Sequence, residues 1–368
     1  MCAHPTKHSA VIGAGVLGAA IGYSLARGGS RVLILDAGQP AGGATGDAFA
    51  WIGLSASAAD PEQAALRRFA SAELDRLAEE LTLPFALTRR GALSWSDARG
   101  NPDADLVIDP KLRVHVRVLS TEGCAAREPN LRTPPRAAVL AETDGSVDPV
   151  ALTRSLLSGA LALGAEFVPD TRVHELVVTD GRVTGVRTAS GTVAVDEVVI
   201  AAGTGTSALL RSAGVHVPVV ASPCILLRLR TSEPLINGIV SGPEFELRQA
   251  DETTLLAAED YLDDSVENGP EAVADRALES IRREIRGAEE ATLESVRVGL
   301  RPIPEDGRPV LGRTGTPGLS VAVAHAGIAL AAGIGTLLAR ELLEGIESDL
   351  LTTFRPSRFA EKVPAPRP

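Results

Sequence analysis

The feature that most constrains this chain is Gly13-Ala14-Gly15-Val16-Leu17-Gly18, set between two apolar runs. Residues 9–12 before it read as a strand, residues 19–27 after it as a helix, and residues 31–35 as a second strand. Asp36 closes that second strand, 18 residues after Gly18. Each part has a physical purpose in a turn that receives a diphosphate. Gly13 permits the tight turn, Gly15 removes a Cβ from the path of the phosphates, and Gly18 lets the helix pack close to the strand. The helix N-terminus offers free N–H groups and a partial positive charge. Asp36 can accept hydrogen bonds from ribose hydroxyls and disfavours a 2′-phosphate, so NAD or FAD fits better than NADP. The motif does not separate those two. The competing reading is a glycine-rich turn of an unrelated α/β protein.

Two uncharged stretches admit other readings. Residues 9–26 follow Lys7 and resemble a short signal peptide. The fixed spacing of Gly13, Gly15, Gly18 and Gly22 favours the nucleotide turn. Residues 314–339 are long enough to span a bilayer. They hold Pro317, five glycines and His325, and read instead as a buried strand over 319–324 and a glycine-rich helix from about 327 to 343, with Gly345 just past its end. No membrane span is expected. The 368 residues carry 47 acids against 36 Lys and Arg, a net charge of −11, which is poor for phosphate-backbone binding, so no nucleic acid partner is expected. Cys2, Cys124 and Cys224 lie far apart, without metal-ligand spacing. They make neither a disulfide framework nor a metal site and fit a reducing, cytoplasmic setting.

The rest of the chain reads as interleaved segments. Residues 64–81 form an amphipathic helix with Leu66, Phe69, Ala70, Leu74, Leu77 and Leu81 on one face. Short β-type runs such as 113–119 lie among prolines and charges. Asp148-Pro149 starts a helix that Gly164 ends. Residues 172–178, 182–187 and 192–195 form a meander joined at Asp180-Gly181 and Ser190-Gly191. Residues 197–202 read as a strand buried on both faces, 226–258 as antiparallel sheet and 271–285 as a helix, and the tail 363–368 as disordered.

Four further runs carry more specific information. Gly42-Gly43-Ala44-Thr45-Gly46-Asp47-Ala48-Phe49-Ala50-Trp51 is a second glycine-rich turn, able to hold a diphosphate from its other side. Ala201-Ala202-Gly203-Thr204-Gly205-Thr206 ends the buried strand. Gly299-Leu300-Arg301-Pro302-Ile303-Pro304-Glu305-Asp306-Gly307-Arg308-Pro309-Val310-Leu311-Gly312 follows, and then His325-Ala326-Gly327-Ile328-Ala329-Leu330-Ala331. In this order they resemble the D-amino acid oxidase, glycine oxidase and sarcosine oxidase family of FAD-dependent amine oxidoreductases.

The resemblance implies an α/β fold: a Rossmann-like FAD-binding domain from residues 1–82, 146–215 and 296–368. An interleaved α+β substrate domain with an antiparallel sheet would come from 83–145 and 216–295. It implies that Gly13, Gly15, Val16, Leu17, Gly18, Asp36 and Ala37 hold the ADP part, Ala37 standing where many relatives have Arg or Lys. Ala44 and Thr45 would meet the pyrophosphate, Trp51 the ring, Val173 the adenine, and Ala202 and Gly203 the diphosphate. Gly327, Ile328, Ala329 and Leu330 would bring a helix N-terminus to the flavin's pyrimidine end. The chain lacks the attachment cysteine after the GLRP run and a histidine in the 42–51 loop, so noncovalent FAD is expected.

The implied chemistry sets a neutral amine's Cα–H against flavin N5. Hydride leaves, and the resulting imine hydrolyses. The substrate is a small amine or amino acid bearing a carboxylate, with O2 or another acceptor taking the electrons. Arg301 stands at the family's carboxylate-binding position, since a planar guanidinium suits bidentate binding. Alternatively it pairs with Glu305 or Asp306. His325 is either a substrate-orienting residue by the ring or a core histidine bonded to backbone. Phe245 and Trp51 either wall the substrate pocket or belong to the core. The acids around Glu244–Glu246 and Glu259–Asp264 read as solvated surface. Three other functions stand beside this one: an FAD-dependent 2-hydroxy-acid oxidoreductase, a non-catalytic flavin-binding partner subunit and an NAD-dependent dehydrogenase.

Overall fold

A computed structural model describes residues 7–54, 60–96 and 116–360. Cys2, the first residues of the expected run 113–119 and the tail 363–368 lie outside the described residues. The chain opens with β1 (His8–Ile12), α1 (Val16–Arg27) and β2 (Arg31–Leu35), then β3 (Trp51–Ile52) and α2 (Pro61–Glu80). The next stretch holds β4 (Ala92–Ser94), β5 (Val116–Ser120), α3 (Thr121–Arg127), β6 (Ala137–Ala141) and β7 (Gly145–Ser146). It continues through α4 (Pro149–Ala162), β8 (Glu166–Val168), β9 (Val173–Thr179), β10 (Arg182–Thr188), β11 (Gly191–Ala194), β12 (Glu197–Ile200) and α5 (Thr206–Arg211). The remainder is β13 (Val219–Arg230), β14 (Ile239–Gly242), β15 (Phe245–Gln249), β16 (Thr254–Asp260), α6 (Pro270–Glu284), β17 (Thr292–Pro304), β18 (Val310–Arg313), β19 (Leu319–Val323) and α7 (Gly327–Glu344).

Two sheets organise these elements. The first has the order β18-β19-β12-β1-β2-β8, with β19, β12, β1, β2 and β8 parallel and β18 antiparallel at one edge. Its central strands are apolar throughout because both faces are covered. The meander of β9, β10 and β11 forms a separate three-stranded sheet on one side. On the other side α1, α2, α4 and α7 contribute to one large core. The uncharged stretch of residues 314–339 is resolved here as buried β19 and α7, and no helix among the described residues is long and apolar enough to cross a membrane. Its glycines serve close packing. A Cβ at Gly333 would lie 2.8 Å from Ala70 of α2, and one at Gly335 2.6 Å from the Ala20 carbonyl of α1. Gly345 ends α7 in the left-handed region, φ 71°.

Local chemistry fixes the helix starts. Asp60 accepts from Gln63 N–H at 3.0 Å with Pro61 at the first turn of α2. Asp148 accepts from the Val150 and Ala151 N–H groups, each at 2.9 Å, ahead of Pro149.

The second sheet has eight strands in the order β17-β13-β16-β15-β14-β4-β6-β5. It is antiparallel except between β14 and β4. Strand alternation gives it two faces. Ile225, Leu227, Phe245, Leu247, Leu255 and Ala257 point into a second core that α6 covers with Val273, Ala277 and Ile281. By register, the opposite face carries Arg301, Cys224, Asp260, Glu246 and Ser241. The division expected between residues 295 and 296 falls inside β17, which pairs with β13 from Thr292 to Pro304.

Candidate functional site

A cavity of about 1020 Å³ opens between the C-terminal ends of β1 and β12 and the uncovered face of the eight-stranded sheet. At one end the backbone dominates. Gly13 has φ 110°, and a Cβ there would overlap the Ala201 carbonyl. Gly18 stands off the cavity: a Cβ on it would overlap the Gly13 carbonyl, so its role is helix–turn packing. Gly15, Val16 and Leu17 line the cavity where α1 begins. A Cβ on Gly15 would reach 3.2 Å from Thr45 Oγ1, the same oxygen that accepts from Val16 N–H at 3.2 Å. Thr45 thus brings the second glycine-rich loop onto the start of α1, and Ala44 lines the cavity beside it.

Asp36 is already partly engaged. Its Oδ2 accepts from Ala14 N–H at 2.6 Å and its Oδ1 from Gly38 N–H at 2.8 Å. Two bonds leave lone pairs free on a carboxylate. Ala37, Val173, Ala202 and Gly203 border the same end. Gly203 takes φ 55°, and a Cβ built there would meet nothing within 4 Å. Across the cavity, α7 begins without a side-chain cap, and Gly327, Ile328 and Ala329 face in. Leu330 does not: it is 1% exposed and belongs to the core, with its N–H donated to Ala326 O. The remaining first-turn N–H groups of α1 and those of α7, with no Cβ at Gly13, Gly15 and Gly203, fit the diphosphate and flavin ring of FAD.

The other end is made by side chains. Arg301 on β17 donates from Nη2 to Ser222 Oγ at 3.0 Å and to Pro223 O at 3.2 Å. It has no ion pair among the described residues. Asp306 is instead paired with Arg358 at 2.6 Å. Nη1 therefore keeps its donors while Nη2 is tethered. His325 joins β19 to α7 and is exposed at the cavity, with no hydrogen bond among the described residues. That placement sets aside a core histidine bonded to backbone. Crowding by protein atoms, then the guanidiniums of Arg301 and Arg67, hold it below the ordinary histidine range. Because the residue is open to the cavity, the two charges are the firmer cause.

Trp51 lines the cavity and donates Nε1–H to Asp144 Oδ2 at 2.9 Å. Phe245 borders it only from behind: it is 5% exposed and packs edge-on to Trp95, with ring centroids 6.4 Å apart. The T-shaped pair belongs to the core under α6.

Several charged cavity residues escaped the sequence reading, among them Glu259 and Asp260 at the end of β16, which were expected at the solvated surface but line the cavity. Glu246, expected at the solvated surface, alternates with buried Phe245 and Leu247 and so falls on the cavity face. Burial, offset by a hydrogen bond with Ser241 and reinforced by Asp260, pushes its carboxyl up to about 7. Arg67 lies on α2 among Ala64, Ala70, Leu74 and Leu77, all buried. An arginine at a position of that apolar stripe was the available signal. Burial holds its guanidinium below the usual arginine range, against the attraction of Asp144.

Residues 8–341 match the DAO family, described as FAD dependent oxidoreductase. The chain belongs to that family. A D-amino acid dehydrogenase of Cereibacter sphaeroides is 30% identical over 241 residues, 63% of this chain and 55% of that protein. One from Allorhizobium ampelinum is 28% identical over 253 residues, 63% of this chain and 57% of that protein. The chain spans about half the length of the curated relatives it matches. A glycine oxidase from Geobacillus kaustophilus superposes with a TM-score of 0.79 at 25% identity, covering 96% of this chain and 99% of that one. An L-proline dehydrogenase from P. horikoshii superposes at 0.84 with 19% identity, over 96% and 98%. These superpositions show that the fold is shared over nearly the whole chain.

Proposed function

We propose that this DAO-family chain oxidises the C–N bond of a small carboxylate-bearing amine, an amino acid or N-substituted glycine. The observation that carries the reading is Arg301: a tethered guanidinium without an acid partner among the described residues, in the same cavity as the glycine-rich turns. A half-buried guanidinium with unused donors is suited to receive a carboxylate. FAD, held noncovalently, supplies the hydride acceptor when bound.

The chain's own groups do the rest. Arg301 fixes the carboxylate and so the angle at which the Cα–H is presented. His325, kept neutral by its cationic neighbours, can accept a hydrogen bond from the substrate amine without repelling Arg301. Trp51 walls the cavity from the cofactor side. The parallel-sheet half is the FAD domain in this reading, and the antiparallel sheet is the substrate domain. Release of electrons to O2 or another acceptor completes the cycle, and the cytoplasm is the proposed setting, in line with free Cys124 and Cys224.

The test is anaerobic reduction. The purified yellow protein should lose its flavin absorbance with one or more amino acids or N-alkyl glycines, and an Arg301→Met variant should hold FAD but bleach far more slowly. Bleaching by 2-hydroxy acids alone would move the reaction to C–O oxidation. A yellow protein that no amine or hydroxy acid bleaches would make it a non-catalytic flavin-binding subunit.

A further inference from the structure

Arg301 is not the only unpaired cation of this cavity. Arg67 lines it too, and no ion pair involves it among the described residues. Its Nη1 donates to Gly53 O at 3.0 Å, while Nε and Nη2 have no hydrogen-bond partner among the described residues. Its position follows from helix packing. Ala70 abuts Gly333 and Thr336 Oγ1 donates to Glu73 at 2.6 Å, so α2 and α7 run side by side in the same direction. Arg67, one turn before Ala70, therefore comes level with the first turn of α7, next to His325. The weakened basicity of His325 under both guanidiniums is consistent with that convergence. The acid that bears on Arg67 is Asp144, whose oxygens accept from Trp51 Nε1 and from Leu54 N–H.

A substrate with a single carboxylate satisfies Arg301 and leaves Arg67 desolvated, with Asp144 bearing on it but forming no ion pair among the described residues. A second anionic group would use the free donors of Nη2. We infer that Arg67 is a specificity-determining residue that binds a second carboxylate, so that the preferred substrate is an amino- or imino-dicarboxylic acid. This rests on the amine-oxidation reading above and names its substrate class. In it one carboxylate lies at Arg301 and the other at Arg67. His325, which lines the same cavity, is held below the ordinary histidine range by burial and by both guanidiniums.

The experiment is a binding titration of the FAD-loaded full chain with inert acids, followed by the perturbation of the flavin spectrum. Malonate, succinate and glutarate form the dicarboxylate series, with acetate and propionate as monocarboxylates. At least one dicarboxylate should bind about tenfold or more tightly than either monocarboxylate, the scale of one charge-assisted hydrogen-bond pair. Arg67→Met should erase that preference while leaving monocarboxylate affinity in place, and Arg67→Lys should restore part of it. Arg301→Met should weaken both series. Equal binding of mono- and dicarboxylates by the unaltered protein overturns the inference and leaves the Arg301 reading intact. Loss of both series in Arg67→Met also overturns it, as does failure of that variant to take up FAD, which would assign Arg67 to the cofactor. If neither series perturbs the flavin, the anion site at Arg301 falls as well.

Discussion

In the function proposed above, the two ends of the cavity hold their ligands by different means. At the dinucleotide end, recognition is by backbone: N–H groups at the starts of α1 and α7, and glycines whose missing side chains leave room. Asp36 there is partly answered by the protein itself, through the Ala14 and Gly38 N–H groups. At the other end recognition is by side chains, and charges are left open: Arg301 and Arg67 have no acid partners among the described residues, and Glu246 is pushed up to about 7 by burial. An end with uncompensated charge stores a preference for what will arrive.

Substitutions can break this contrast in order of effect. Gly13→Val combines a left-handed φ with overlap against Ala201, so it should cost about 3 kcal/mol or more and yield colourless, low-melting protein. Flavin content and a thermal melt check this; a yellow, stable variant would show that the turn relaxes. Arg301→Met should leave flavin content and melting unchanged but lower kcat/KM by about 10²–10³, the scale of losing a charge-paired contact. Equal loss of FAD would mean that Arg301 serves the cofactor end instead.

Glu246→Gln sharpens the comparison through pH. Its carboxyl titrates at about 7 in the folded chain against an ordinary 4.5, so the native state binds the extra proton between those values. Stability of the unaltered protein therefore falls as pH rises through that window and levels off above it. The variant stays neutral. It should be more stable by about 1–3 kcal/mol at pH 8 and equal at pH 4, as read from denaturant midpoints. No pH dependence in the difference would return Glu246 to the solvated surface. The smallest effect is Thr45→Val, which removes the acceptor for Val16 N–H and should lower FAD-free stability by about 1 kcal/mol.

How much was legible follows the same divide. The βαβ unit, the meander with its two hairpin turns, the capped start at Asp148 and the closing glycine of α7 could all be read from spacing. Each depends on chain neighbours: a φ that only glycine takes easily, a proline at a first turn, a side chain that caps its own helix. Arg301 came from a motif, and its freedom from Asp306 could not be read because Arg358, 52 residues further on, claims that acid. Phe245 and Glu246 show the limit most plainly. Adjacent in sequence, they face opposite sides of β15, one into the core with Trp95 and one into the cavity.

The sequence by itself determined that a strand, a glycine turn and a helix head the chain and that its glycines permit the tight turn and the close packing there, because those demands are met within a few residues of one another. Only the tertiary structure decided which charges share a cavity. Arg67, Glu246, Arg301 and His325 come from a helix, two different strands and a strand–helix junction. Whether each finds a partner, solvent or a substrate depends on sheet register and helix packing between segments far apart in the chain.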